Sequence, residues 1–178
     1  MKKVPFALVL AFGLASGSAF AASSGSVTIN GEVVGTTCEI DSGTKDQTIT
    51  LAKVGAGDLA VDAKVAPLRF DIKLTGCTPG SSVSAVFSAD SPTLIDPVAG
   101  TLKNTATDDP ATNVNIALYR DTGAMIRLGT QAYAAETAKV ADAVTGDITL
   151  TYAAAYRATG VATPGKVTAK ANYVIAYQ

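Results

Sequence analysis

The side chains that could carry out chemistry are few in this sequence. The chain of 178 residues has no His and only two Cys. A catalytic triad built on His, a His-ligated metal ion and a zinc site of four thiolates are therefore excluded. The sequence has no GxSxG turn, no glycine-rich phosphate loop and no HExxH motif. Without His, a serine nucleophile would need a lysine base, and we expect no Ser-x-x-Lys motif at the start of a helix.

The remaining candidates for chemistry are acidic and aromatic. Asp108 and Asp109 form the closest acidic pair, and paired carboxylates can act as acid and base or bind Ca²⁺. Because they lie among Thr, Pro and Asn, we interpret them as a solvated turn. Five tyrosines could line a ligand groove, but we interpret them as large members of an Ala- and Val-rich core: Tyr119, Tyr152, Tyr156, Tyr173 and Tyr177. The sequence thus indicates a protein that is not an enzyme and uses no cofactor or metal ion.

The first 21 residues have the pattern of a signal peptide. Lys2 and Lys3 precede an apolar stretch from Val4 to Leu14, and Ala19-Phe20-Ala21 is a small-x-small cleavage site. The apolar stretch is too short to span a bilayer about 30 Å thick. We therefore expect residues 1–21 to be removed on export, rather than to form a buried N-terminal helix.

Charge and cysteine content limit the partners. The chain carries 14 basic and 15 acidic residues, and removal of residues 1–21 leaves 12 against 15, a net charge of −3 over 157 residues. Nucleic acid and anionic lipid recruit basic surfaces, so neither is expected as a partner. In an oxidising compartment Cys38 and Cys77 most simply form one disulfide bond, with free thiols as the alternative.

The dominant apolar period is two, which predicts β-strands. Alternating runs cover Leu68–Leu74, Val83–Phe87, Val114–Leu118, Ile148–Tyr156 and Val167–Tyr177, with less regular candidates at Thr48–Val54, Thr101–Lys103 and Met125–Leu128. Residues 89–113 are interpreted as a long connection and 135–144 as a loop or a single turn. Many short strands with Gly and Pro turns predict an all-β fold, an antiparallel sandwich.

Two features are unusual for a self-sufficient sandwich. An alternating arm, Ser26–Asn30, lies near the N-terminus, and the last predicted strand runs almost to the end of the chain. A long apolar strand with a free edge is a template for adding another strand. The arm could pair within its own sheet or with another molecule, and the period of two does not separate these possibilities.

Residues near both ends resemble those of a known family. The run Gly31-Glu32-Val33-Val34, the two cysteines and the segment from Ala162 to Gln178 are similar to type 1 fimbrial major subunits of the chaperone–usher class. In that family a Gly lies fourteen residues from the end and the penultimate residue is Tyr; Gly165 and Tyr177 occupy those places. The likeness covers essentially the whole chain after residue 21.

The resemblance implies an incomplete immunoglobulin-like β-sandwich, the pilin fold, that lacks its last strand. It divides the chain into a signal peptide (1–21), an N-terminal donor-strand arm (22–33) and a pilin domain (34–178). Inward positions of the arm would be Gly25, Val27 and Ile29. The groove edge, which a chaperone would also bind, would be formed by the C-terminal residues Gly165, Val167, Ala169, Ala171, Tyr173, Ile175, Tyr177 and Gln178.

The resemblance also implies a function. The chain would be a structural subunit of an adhesive pilus that polymerises by donor-strand exchange into the shaft. Its partners would be neighbouring copies, a periplasmic chaperone, an outer-membrane usher, and tip adhesin or adaptor subunits. It would pass through the periplasm and end in an extracellular fimbrium. The alternatives are a minor, anchor or terminating pilin of the same system, or a secreted single-domain β-sandwich binding protein.

Overall fold

The computed structural model describes residues 27–28, 38–129 and 139–177. The chain divides into two compact units, Met1–Val33 and Val34–Gln178. The two described residues of the first unit have no regular secondary structure, and the fold given below is that of the second unit. Among the described residues, no helix is long and apolar enough to cross a membrane.

Several expectations fall outside these ranges. The signal peptide, the predicted arm apart from Val27 and Thr28, and the C-terminal Gln178 all belong to residues whose structure is not described. They remain predictions from the sequence.

The described residues form short and long strands with little helix. The strands are β1 (Glu39–Ile40), β2 (Val65–Thr75), β3 (Ser82–Ser88), β4 (Ile95–Asp96), β5 (Thr101–Leu102), β6 (Val114–Arg120), β7 (Met125–Ile126), β8 (Lys139–Val140), β9 (Ile148–Ala158) and β10 (Asn172–Tyr177). One helical turn, α1, covers Ser42–Lys45, and 3-10 turns cover Ala56–Asp58 and Pro92–Leu94.

The strands form two antiparallel sheets that enclose one main core. The larger sheet has the order β1-β2-β9-β6-β5-β4, with β7 also paired to β6, and the smaller has the order β10-β3-β8. Both sheets contribute to a single cluster of buried side chains, including Ile72 and Leu150 from the larger sheet and Val83 and Phe87 from the smaller. The expected all-β sandwich is therefore confirmed.

The longest strands show how alternation buries one face. In β2, Ile72 is fully buried while Lys73 beside it is exposed. Ile72 pairs with Leu150 of β9, which is also buried. A register shift between Val65 and Leu68 interrupts this pairing, and Leu68 is 41% exposed although its place in the pattern is inward. An inward place in the pattern therefore does not guarantee burial next to the irregularity.

Three predicted segments differ in the structure. The strand expected over Val167–Tyr177 begins only at Asn172, and no strand forms over Thr48–Val54. In the opposite direction, the expected loop at 135–144 contains β8 within its described part, because Ser82 and Val83 of β3 provide a partner. A strand pattern in the sequence yields a strand only where a partner backbone is present.

A disulfide bond joins Cys38 and Cys77, as predicted. Cys38 directly precedes β1, and β1 pairs with the end of β2 through Glu39 opposite Thr75. Because Cys77 follows β2 by two residues, this pairing brings the two cysteines together.

Candidate functional site

An open apolar groove leads into the core of the sandwich. It has a volume of about 910 Å³ and lies between two segments that we call the N-terminal wall (residues 45–51) and the C-terminal wall (residues 167–173). Its floor is formed by side chains of five strands, β2, β3, β5, β6 and β9: Phe70, Ile72, Phe87, Leu102, Ile116, Leu118, Ala154 and Tyr156. The groove therefore opens directly onto the hydrophobic core.

Half-buried and exposed side chains alternate along part of each wall, residues 48–51 and 167–171. In the N-terminal wall Ile49 and Leu51 are half-buried, and the threonines beside them are exposed. In the C-terminal wall Val167, Ala169 and Ala171 are half-buried, with exposed residues between them. This is the period of a β-strand. It lines each side of the groove with a row of apolar groups.

Much of the backbone of both walls has no hydrogen-bond partner among the described residues. Within the described ranges, no backbone–backbone hydrogen bond engages residues 47–54, Val167, Ala169 or Ala171. Unpaired N–H and C=O groups along a strand are a template for another strand. A strand inserted between the walls would form hydrogen bonds with both of them and would cover the apolar floor.

Tyr173 connects the two walls at one end of the groove. Its hydroxyl donates a hydrogen bond to the carbonyl oxygen of Lys45 at 3.1 Å. Its ring packs against Phe87, with the ring centroids 6.1 Å apart. Burial raises the pKa of the Tyr173 phenol above its ordinary value, and the nearby carboxylate of Asp46 adds to the shift. The phenol is thus held in its neutral, donating form.

The structure brings only part of the predicted groove edge to the groove. Val167, Ala169, Ala171 and Tyr173 line it, whereas Gly165, Ile175 and Tyr177 do not. The last two lie in β10, which pairs with β3, and their side chains pack against the main core.

Gly165 and Tyr177 have structural roles that their residue types explain. Gly165 has φ +152°, and a Cβ atom there would lie 2.6 Å from the carbonyl carbon of Pro110. Only glycine lets the chain pass so close to this backbone. The Tyr177 hydroxyl accepts a hydrogen bond of 2.7 Å from the backbone N–H of Cys38. It joins the C-terminal strand to the disulfide-bonded end of the domain.

Sequence reasoning missed the N-terminal wall and most of the floor. The alternation over Thr48–Val54 was the available signal for the wall, but it does not show what the segment faces. The interpretation of the tyrosines as core residues is right for Tyr119 and Tyr152, which are 4% and 5% exposed. Tyr156 and Tyr173 are half-buried and line the groove.

The other candidates for chemistry do not form a reactive site. Ser42 and Lys45 begin and end α1, so the expectation that no Ser-x-x-Lys sequence opens a helix was wrong. Both residues are exposed, and no described hydrogen bond joins their side chains. Asp108 is exposed and forms an ion pair with Lys166. Among the described residues, no group of three or more His, Cys, Asp or Glu could hold a metal ion.

Comparisons with known proteins agree with this geometry. The family model described as "Fimbrial protein" matches residues 27–178. The F17 fimbrial protein of Escherichia coli is 41% identical over 185 residues, covering all of both chains. The type-1 fimbrial protein A chain of Escherichia coli K12 is 34% identical over 189 residues, covering 100% of this chain and 99% of the relative. The P pilus rod subunit PapA has the same fold, with a TM-score of 0.60 and 20% identity, over 79% of this chain and 99% of its own. The chain belongs to the fimbrial protein family and is a structural subunit of pili.

Proposed function

We propose that this subunit polymerises into a pilus shaft by donor-strand exchange, in which the N-terminal arm of one copy fills the groove of the next. The observation that carries the proposal is the open groove, whose two walls lack backbone pairing within the described residues and whose floor is the core itself. An apolar segment with a period of two fits between such walls by strand addition. The groove is evidence against a closed sandwich that acts alone as a binding protein.

The arm of residues 22–33 has the composition that the groove requires. Gly25, Val27 and Ile29 share one parity, and the residues between them are polar. Burial of Val27 and Ile29 would stabilise the joint by about 1.5–3 kcal/mol each. Each new backbone hydrogen bond would add about 0.5–1.5 kcal/mol. Because the arm and the groove are different surfaces, repeating the contact without closure produces a filament.

The remaining steps of assembly follow from the family and the N-terminal sequence. Residues 1–21 direct export to the periplasm, where a chaperone fills the groove and binds the carboxylate of Gln178. An outer-membrane usher then replaces the chaperone with the arm of the next copy. The finished fimbrium is extracellular and has adaptor or adhesin subunits at its tip. The role is structural, without catalysis.

The experiment changes the arm at its inward positions. The double variant Val27→Asp and Ile29→Asp places two carboxylates where the arm would enter the apolar floor. We expect it to be exported and bound by the chaperone but to form no SDS-resistant ladders on gels. The matched control is Ser26→Asp with Thr28→Asp, which adds the same charge at positions of opposite parity. It should assemble as the native chain does.

Mixing experiments test the direction of the joint. A second variant, Ala171→Asp, damages the C-terminal wall and leaves the arm intact. Neither this chain nor the Val27→Asp and Ile29→Asp chain should polymerise alone, but together they should form dimers that grow no further. SDS-resistant ladders from the arm variant alone would show that the arm does not form the joint.

A further inference from the structure

The side chain of Asn104 makes four hydrogen bonds at the start of the C-terminal wall. The side-chain amide of Asn104 donates to the carbonyl oxygen of Lys166 at 2.8 Å and accepts from the backbone N–H of Thr168 at 2.9 Å. On its other side it donates to the carbonyl oxygen of Ala111 at 2.9 Å and accepts from the N–H of Ala106 at 3.0 Å. An amide side chain has two donors and two acceptor sites. All four are used here.

Asn104 makes hydrogen bonds to the backbone of Lys166 and Thr168 that a neighbouring strand would otherwise make. The loop that contains Asn104 makes further bonds to Lys166 and Thr168. The N–H and the hydroxyl of Thr105 donate to the carbonyl oxygen of Thr168 at 2.8 Å and 3.0 Å. The N–H of Ala111 donates to the carbonyl oxygen of Lys166 at 3.0 Å, and the N–H of Lys166 donates to that of Asp109 at 2.6 Å. Consecutive residues of a strand direct their backbone groups to opposite sides. Lys166 and Thr168 are bonded to the loop, whereas Val167 between them lines the groove and has no backbone hydrogen bond among the described residues.

We propose that Asn104 is a positioning residue that holds the C-terminal wall ready for the incoming strand. This proposal rests on the proposed function, because it assigns to Asn104 the preorganisation of the surface that the arm would bind. A binding surface that is ordered only part of the time binds its ligand more weakly in proportion to the ordered fraction. Without Asn104, residues 166–168 would lose two hydrogen bonds and would keep the bonds from the loop backbone, the bond from Thr105 Oγ1 to Thr168 and the ion pair of Lys166 with Asp108. The wall would then be ordered for a smaller fraction of the time.

The test measures binding of a synthetic peptide of residues 22–33 to the groove. The chain used carries Val27→Asp and Ile29→Asp, so that its own arm does not compete. Replacing Asn104→Ala should weaken peptide binding about tenfold, mainly through a slower association rate. Hydrogen exchange of the Thr168 amide in the empty subunit should accelerate, while the amides of β6 and β9 should not change.

The matched control is Asn115→Ala. Asn115 is 7% exposed and donates to Thr101 Oγ1 at 2.9 Å, but it does not line the groove. Its loss should lower the thermal midpoint and leave peptide affinity within about twofold of the parent chain. Equal weakening by the two variants would show that Asn104 acts only through overall stability, and would overturn the proposal.

A second variant covers the case in which Asn104→Ala does not fold. Asn104→Asp keeps the acceptors for Thr168 and Ala106 but places a carboxylate oxygen against the carbonyl oxygens of Lys166 and Ala111, so a loss of at least about tenfold is expected. Native affinity and native Thr168 exchange in this variant would also overturn the proposal. If the peptide fails to bind even the parent chain, the donor-strand function fails and the role of Asn104 in it fails as well. If the peptide binds and Asn104 variants match the parent, only the inference about Asn104 fails.

Discussion

Alternating apolar residues have different surroundings in two parts of this sandwich. We call the part around the β2–β9 ladder the closed side and the part around the groove the open side. On the closed side, the alternating pattern of β2 meets that of β9, and the ladder from Leu68–Ala154 to Leu74–Ile148 is continuous. On the open side, the alternating residues of both walls have no strand partner within the described residues. Apolar alternation creates a face to bury and does not by itself provide the partner that buries it.

The floor shows the cost of the missing partner. Ile116 and Tyr156 lie opposite each other in β6 and β9, where a complete sandwich would bury them. Both are only half-buried and line the groove. Leu150, in the same strand as Tyr156 but under the closed side, is 2% exposed. The core is therefore closed around Leu150 and open at the groove, where Ile116 and Tyr156 are partly exposed.

Among the changes considered for the two sides, loss of the disulfide should have the largest effect on the free energy of unfolding. The bond joins residues 39 apart in sequence, and loop-closure entropy gives it about 4 kcal/mol of stabilisation. It fixes the position of Cys38, and the chain continues from there through β1 and α1 into the N-terminal wall. The double variant Cys38→Ser and Cys77→Ser should therefore lose about this much unfolding free energy, measured by urea denaturation of the peptide-filled subunit.

The reducing agent dithiothreitol provides the control for this prediction. It should lower the stability of the native chain to that of the double variant and should not affect the variant. A native chain that is equally stable with and without the reductant would show that the open side does not depend on the bond.

Matched leucine truncations compare the two sides directly. Leu150→Ala removes a buried side chain from the closed side and should cost about 2–5 kcal/mol in any state of the subunit. Leu51→Ala, in the N-terminal wall, removes a half-buried side chain and should cost less than about 1 kcal/mol while the groove is empty. When the peptide of residues 22–33 fills the groove, the cost of Leu51→Ala should rise. Equal costs in the empty and filled states would contradict the assignment of Leu51 to the wall.

The sequence predicted the closed side well and the open side only in outline. All five regular alternating runs contain strands. Each run is long enough for its own pattern to identify a strand. The pairing of Cys38 with Cys77 followed from their number and the expected compartment. The two walls could be identified as strand-like, and the C-terminal one was linked to the groove only through the family resemblance.

The N-terminal wall and Asn104 could not be predicted, for physical reasons. Which face of Ile49 and Leu51 meets the core depends on residues of other segments, such as Phe70, which lines the same groove. Asn104 lies in a polar loop in which Thr, Asn and Asp are common. Nothing local distinguishes an amide that completes four hydrogen bonds from one that is solvated.

Alkaline pH should weaken the connection between the walls, with the smallest effect of the series. The pKa of Tyr173 is raised in the folded protein by burial and by Asp46. The unfolded chain therefore releases this proton first, and the free energy of unfolding falls as the pH rises through and above about 10. Ionisation also removes the donor to the carbonyl oxygen of Lys45. Urea midpoints between pH 8 and pH 11 should decline more steeply for the native chain than for Tyr173→Phe, since other alkaline groups titrate in both. Identical slopes would show that the phenol makes no use of this hydrogen bond.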